Sequence, residues 1–287
     1  MNNPAFRIVE TISETGGKGN EDAFGFKDHE GVFDLWVIDG ATSIIDEEIL
    51  DLDITDPAWF AQSLNNDIKH SAMPGEMPSE ILAQVISCTA KTYHTMTEGR
   101  DIPDHAYPLA ALVWMRAVLQ DNSAMLSFIA MSDCRFLVSS DDGVFLFPQQ
   151  QRADNVKPVT FVPPDAPRNK AGVLLSHLQG EMQHREKSQR DPTYGKLGLN
   201  SQSVAYARTL EMTVQGKFSV LAMSDGFYRL VDEYGLYDDA GLISAAQTKG
   251  LKTLYAELRA YEGEAQKRND YAVKRRDDAT AIFARIG

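Results

Sequence analysis

Four stretches of the chain share one grammar, a carboxylate beside a loop or strand end and often next to glycine. They are GNEDAFGF with Glu21 and Asp22, WVIDGATS with Asp39 and Gly40, LAMSDGF with Asp225 and Gly226, and RRDDATAIF with Asp277 and Asp278. A fifth, IAMSDCRF, sets Asp133 in an apolar strand context. An ionised carboxylate near a core is costly unless something compensates it. Turn amides do so in an Asx turn; a hard divalent cation does so together with carbonyl and water oxygens, and Mg²⁺ or Mn²⁺ suits that donor set. Each acid taken alone reads as turn chemistry. Jointly they carry more, because Asp39 and Asp225 both end strands that read as buried on both faces and can emerge on one edge of a sandwich. The histidines offer no rival site: His177 and His184 lie seven apart on a polar helix and the others are scattered. HExxH, CxxC and GxSxG are absent, and TGGKGN lacks P-loop spacing.

Residues 5 to 40 read as strands and turns, with FDLWVIDG apolar on both faces. Residues 57 to 98 switch to a helical period, with Phe60, Leu64 and Ile68 on one stripe and Leu82, Val85, Ile86, Thr89 and Tyr93 on another. MPGEMPSE breaks the two apart. Strands return with LAALVWMRAVL, AMLSFIAMSDCRFLVSS and GVFLFP, with SDDG as a hairpin turn. An irregular stretch, a polar helix over VLLSHLQGEMQHREKSQR and the loop-like GKLGLNSQSV come next. KFSVLAMSDG is the next strand, with a sharp turn at Asp225–Gly226; helical segments over 239 to 248 and 251 to 268 follow, and DDATAIFARI closes the chain. This order predicts an α+β, four-layer α-β-β-α sandwich, two mainly antiparallel sheets flanked by helix pairs. One domain over 1–287 is expected, with an insert at about 148–203.

The bulk properties narrow the partners. The chain has 287 residues, with 41 Asp and Glu against 28 Lys and Arg, a net charge of −13. That argues against nucleic-acid binding, which selects clustered Lys and Arg, and a phosphate site here needs local cations. Cys88 and Cys134 read as reduced thiols of a cytoplasmic protein. MNNPAFRIVE has no basic region followed by an apolar core, and no apolar run reaches the ~18 residues of a membrane helix.

In order and spacing, NEDAFGF, VIDGATS, AMSDCR, LAMSDGF and DDATAIF resemble the motifs of the type 2C, metal-dependent protein serine/threonine phosphatases, in their bacterial style. The resemblance runs from about residue 10 to 286. It implies the four-layer sandwich with a binuclear Mg²⁺/Mn²⁺ site at one end, activating a water for hydrolysis of phosphoserine and phosphothreonine in a protein substrate. Carried over by position, Asp39, Asp225 and Asp277 are the catalytic acids. Asp39 would bridge the metals, Gly40 would offer its carbonyl, and Asp225 and Asp277 would hold the second ion. Asp22 joins the metal set through coordinated water, with Glu21 behind it. Asp133 matches the acid that holds a third metal in bacterial members, and Asp278 stands where Asn is usual. The insert takes the place of the family's flap.

Three positions depart from the pattern. The family's phosphate-binding Arg falls on Gly17, leaving Lys18 and Arg276 as candidate phosphate grips. Ala41 supplies no general acid, and Arg229 stands where Asp or Asn is usual. The leading reading is therefore a cytoplasmic, monomeric Mg²⁺/Mn²⁺-dependent phosphoprotein phosphatase. Its rivals are a degenerate, regulatory binding module of the same fold and a small-molecule phosphohydrolase.

Overall fold

The computed structural model describes residues 6–17, 19–29, 31–149, 166–169, 174–268 and 276–287, with the backbone alone at 265–268. Two five-stranded sheets form its centre. One runs β1 (Phe6–Glu14), β10 (Ala279–Ile286), β9 (Phe218–Met223), β6 (Arg135–Ser140), β7 (Gly143–Phe147). The other runs β2 (Asp22–His29), β3 (Val32–Gly40), β4 (Ala110–Gln120), β5 (Ser123–Met131), β8 (Arg208–Gln215). Each registered strand pair is antiparallel.

Alternation along the strands builds three apolar layers. On β3, Phe33, Leu35 and Val37 face the opposite sheet, where they meet Val220, Ala222 and Ile282. Trp36 and Ile38 point the other way, onto α1 (Asp56–Ser71) and α2 (Pro78–Met96). The predicted stripe Phe60, Leu64 and Ile68 is wholly buried there, and Thr55 caps α1 by accepting from the Ala58 amide at 3.3 Å. On β9, Leu221 and Met223 face the outer helices of the second sheet. Burial of large apolar side chains on both faces of both sheets is the dominant stabilising term, ~1.5–3 kcal/mol for each side chain fully removed from water.

The four-layer sandwich matches the expectation, with two details corrected. The flank over the first sheet carries three helices, α4 (Asp225–Asp232), α5 (Asp239–Lys249) and α6 (Leu251–Arg268), where a pair was expected. α4 begins at Asp225 itself, so the sharp turn expected there is a helix start. β8 was also not anticipated: RTLEMTVQ is largely exposed and, among the described residues, joins the sheet only through β5. Within the region assigned to the insert, α3 (Leu175–Arg190) forms the expected polar helix; much of 150–173 lies outside the described residues. Among the described residues, no helix is long and apolar enough to cross a membrane.

Candidate functional site

Register brings the first two acids together. Asp22 is the cross-strand partner of Asp39 at the ends of β2 and β3. Directly opposed residues share a face, with Cβ atoms ~4.5–5.5 Å apart, and like charges so placed repel. Asp39 continues the row of Phe33, Leu35 and Val37, so this pair looks into the space between the sheets. From the other sheet, β9 and β10 run antiparallel side by side, with Met223 opposite Ala281 and the Ser224 amide donating to the Thr280 carbonyl at 2.9 Å. That pairing sets Asp225, one residue beyond β9, next to Asp277 and Asp278, just before β10.

The electrostatics follow from this convergence. Burial raises the Asp39 carboxyl well above the carboxylate range, and the charges of Asp22, Asp225 and Asp277 add to it. Burial likewise raises Asp225, with Asp277 and Asp133 next in effect. The contact between Asp39 and Asp225 acts on the two in opposite directions, raising Asp39 further and holding Asp225 down against its burial. Asp22, 6% exposed, is pushed up to about 8, chiefly by burial, with further upward pressure from Asp278 and Asp277. The Thr280 and Ser224 hydroxyls lie close enough to temper that rise, yet neither Asp22 oxygen has a hydrogen-bond partner among the described residues. Cys134, fully buried behind these acids, has its thiol raised by burial and then by Asp39, so it holds no reactive thiolate.

The Asp277–Asp278 segment is fixed from three sides. Asp278 accepts from the amides of Gly16 at 2.7 Å and Glu21 at 2.6 Å and from the Thr15 hydroxyl at 3.2 Å. A Cβ on Gly226 would lie 2.0 Å from the Asp278 carbonyl oxygen, and one on Gly16 would lie 2.3 Å from that of Asp277. Glycine is required at both places by close backbone approach. Asp277 accepts from Arg229 Nη2 at 3.1 Å. Arg229 is one helical turn beyond Asp225 on α4, 6% exposed, and also pairs with Glu233 at 3.5 Å. Burial works to lower its pKa, but Asp277, Glu233 and Asp225 outweigh that and hold it charged. The sequence marked Arg229 as a departure; what it pairs with follows only from the β9–β10 neighbourhood.

Other residues singled out by the sequence lie as follows. Glu21 is buried, its carboxylate accepting from the hydroxyls of Thr42 at 2.7 Å and Thr55 at 2.8 Å. Gly40 donates its amide to the Glu21 carbonyl at 3.1 Å, and a Cβ there would meet that oxygen at 2.7 Å. Asp133 is exposed and accepts from the Ser132 hydroxyl at 3.0 Å. Arg276 lies 3.8 Å from Glu262, a buried acid that also accepts from Arg259 at 2.7 Å. Lys18 lies outside the described residues. A cation that sequence reasoning missed is Arg185 of α3, which donates to the Thr42 carbonyl at 2.6 Å beside Glu21. Its helix read only as a polar outer face.

Asp22, Asp39 and Asp225 suit a hard divalent cation: a buried carboxylate without a hydrogen-bond partner among the described residues stands beside two further acids, and burial and mutual repulsion raise all three. Among the described residues no three His, Cys, Asp or Glu side chains converge as a ready-made cage. Mg²⁺ does not need one, since it commonly keeps several waters and takes one or two carboxylates.

No protein-family model matches the sequence, and no curated protein matches it. Solved structures do. The catalytic domain of the serine/threonine protein phosphatase PstP, in complex with 2 manganese ions, matches with a TM-score of 0.53 at 13% identity, over 99% of this chain and 98% of that one. The S. agalactiae serine/threonine phosphatase matches with a TM-score of 0.52 at 11% identity, over 98% of each chain. The protein thus has the serine/threonine phosphatase fold, as the resemblance implied.

Proposed function

We infer that the protein is a Mg²⁺/Mn²⁺-dependent phosphatase acting on phosphoserine and phosphothreonine of a protein substrate. The observation that carries this reading is the convergence of the cross-strand pair Asp22–Asp39 with Asp225 just beyond β9, the Asp22 oxygens having no hydrogen-bond partner among the described residues, in a phosphatase-fold sandwich. Asp39 and Asp225 would hold the cation, with the Gly40 carbonyl and Asp22 beside it. A bound divalent ion supplies a nucleophilic water at neutral pH and shields phosphoryl charge. Glu21 keeps the Thr42 and Thr55 hydroxyls turned inward and so braces the loop after Asp39. Ala41 offers no proton to the leaving group, so that proton comes from solvent on this reading. Lys18 remains the proposed phosphate grip. Arg276 is the weaker proposal, because Glu262 stands beside it. Asp133, exposed near Asp225, is kept only as a candidate for a third ion. The net charge of −13 favours a protein over a nucleic-acid partner, and a monomer in the cytoplasm is the matching proposal.

Hydrolysis of p-nitrophenyl phosphate, with Mn²⁺, with Mg²⁺ and with chelator, tests this beside Asp225→Asn. Turnover that chelator stops and that falls about a thousandfold or more in the variant is expected, equivalent to ~4 kcal/mol of transition-state stabilisation. Full activity in Asp225→Asn would remove the assignment. The Arg229–Asp277 pair favours a second reading, a binding module with weak catalysis; well-folded protein that binds Mn²⁺ without turnover would select it.

A further inference from the structure

We propose that Arg229 is a built-in cation that takes the Asp277 carboxylate for itself, so that the site holds one divalent ion on Asp39 and Asp225 with Asp22 beside it, and a second only when the Arg229–Asp277 pair opens. The inference rests on the metal-site reading above and specifies its stoichiometry. Arg229 belongs to the same helix face as Asp225, one turn on, and its guanidinium reaches Asp277 at 3.1 Å and Glu233 at 3.5 Å. It is buried, so the pair is shielded from the water and salt that weaken surface ion pairs. Its Nη1 is buried without a hydrogen-bond partner among the described residues, so the fork is held by charge rather than by a complete set of acceptors. Gly226 packs onto the Asp278 carbonyl with no room even for a methyl group, so the start of α4, and Arg229 one turn on, sit directly against the Asp277–Asp278 segment. The two sides of the site therefore differ. Asp22 is nine-tenths buried with only the Ser224 and Thr280 hydroxyls near it and no hydrogen-bond partner among the described residues, whereas Asp277 already has a cation. A divalent ion bound by Asp277 would stand against the fixed positive charge of Arg229, and that repulsion weakens the second site.

Isothermal calorimetry with MnCl₂ on the full chain, read beside melting temperature in chelator, tests this without reference to activity. Wild type binds one Mn²⁺ tightly. Asp277→Asn keeps that ion, its affinity changing by less than about threefold, which is ~0.6 kcal/mol. Arg229→Gln binds a second Mn²⁺ at least about tenfold more tightly than wild type, corresponding to ~1.4 kcal/mol, and melts lower in chelator with a larger rise on adding Mn²⁺; Arg229→Lys, which keeps the charge, does not gain the second ion. Two equally tight ions in wild type, or loss of the tight ion in Asp277→Asn, would overturn the inference and leave the metal site standing. No Mn²⁺ binding in wild type would overturn both. If Arg229→Gln does not fold, Asp277→Asn decides alone.

Discussion

Asp34 and Asp39 lie five residues apart on one strand, about 17 Å at the usual rise, and they face opposite ways. Asp34 points toward the helices and is fully buried. It accepts from Trp114 Nε1 at 2.7 Å and, in a two-point fork, from Arg116 Nε at 2.9 Å and Nη2 at 2.8 Å. Its cross-strand partner is Arg116, a counter-ion. Asp39 points between the sheets, and its cross-strand partner on the other side is Asp22, another acid with no hydrogen-bond partner among the described residues. The same strand therefore carries one carboxylate completed by a counter-ion and one that faces other acids, among them an Asp22 whose oxygens have no hydrogen-bond partner among the described residues. Buried polar groups are almost always satisfied when their role is to hold a fold. On the proposed reading, the incomplete group, Asp22 at the end of β2, is the one whose partner comes from outside.

The comparison breaks first at Asp34. Arg116→Met leaves that carboxylate buried without its counter-ion and is expected to lower the free energy of unfolding by about 3–5 kcal/mol. Urea denaturation measures this, and the loss should be the same with and without Mn²⁺. A loss that Mn²⁺ restores would mean that the two ends of β3 are not independent.

At the other end pH is the probe. In metal-free protein the folded-state pKa of Asp22 is about 8, against ~3.9 for an ordinary Asp. Between those values the unfolded chain has released the proton that the folded protein keeps, so unfolding releases protons and stability falls as pH rises. One such group gives a slope of at most about 1.4 kcal/mol per pH unit, present above about pH 4 and exhausted above about pH 8. Asp39 and Asp225 are shifted the same way and steepen it. Melting temperature against pH in chelator should therefore decline from pH 5 to 8, less so in Asp22→Asn, and Mn²⁺ should flatten the decline by replacing the protons. A chelated protein equally stable across that range would show that the acids are compensated from within.

How much of this was legible beforehand follows from the range of each interaction. Asp22, Asp39, Asp225 and Asp277 stood out because a carboxylate amid apolar residues is costly wherever the chain goes. The helices α1 and α2 and the core strands stood out through periods that are local. β8 did not, since RTLEMTVQ has few buried positions and takes its strand form from pairing with β5. α4 did not, because eight residues starting at the acid itself offer little period to read. The partners of the acids were out of reach for the same reason: Arg116 lies 82 residues from Asp34 and Arg229 lies 48 from Asp277. Sequence marks the charge that must be compensated; only the register of the strands decides which cation arrives.

The smallest effect sharpens the comparison most, because it falls on an acid inside the candidate site that nevertheless resembles Asp34. Asp278 sits one residue from Asp277, but both of its oxygens are taken: the amide of Gly16 and the Thr15 hydroxyl on one, and the amide of Glu21 on the other. It ties the loop after β1 to the start of β10 and has no oxygen left without a donor. Asp278→Asn keeps one acceptor and turns an NH₂ toward an amide donor, so a cost on the order of 1 kcal/mol in stability is expected. The Mn²⁺ affinity should stay within about twofold, a difference below ~0.5 kcal/mol, since no ion contact is lost. Thermal denaturation and Mn²⁺ calorimetry on the same sample separate the two. A tenfold weaker ion with unchanged stability would move Asp278 from the bracing of the loop into the ligand set, and the division between completed and incomplete carboxylates would no longer follow from the hydrogen bonds alone.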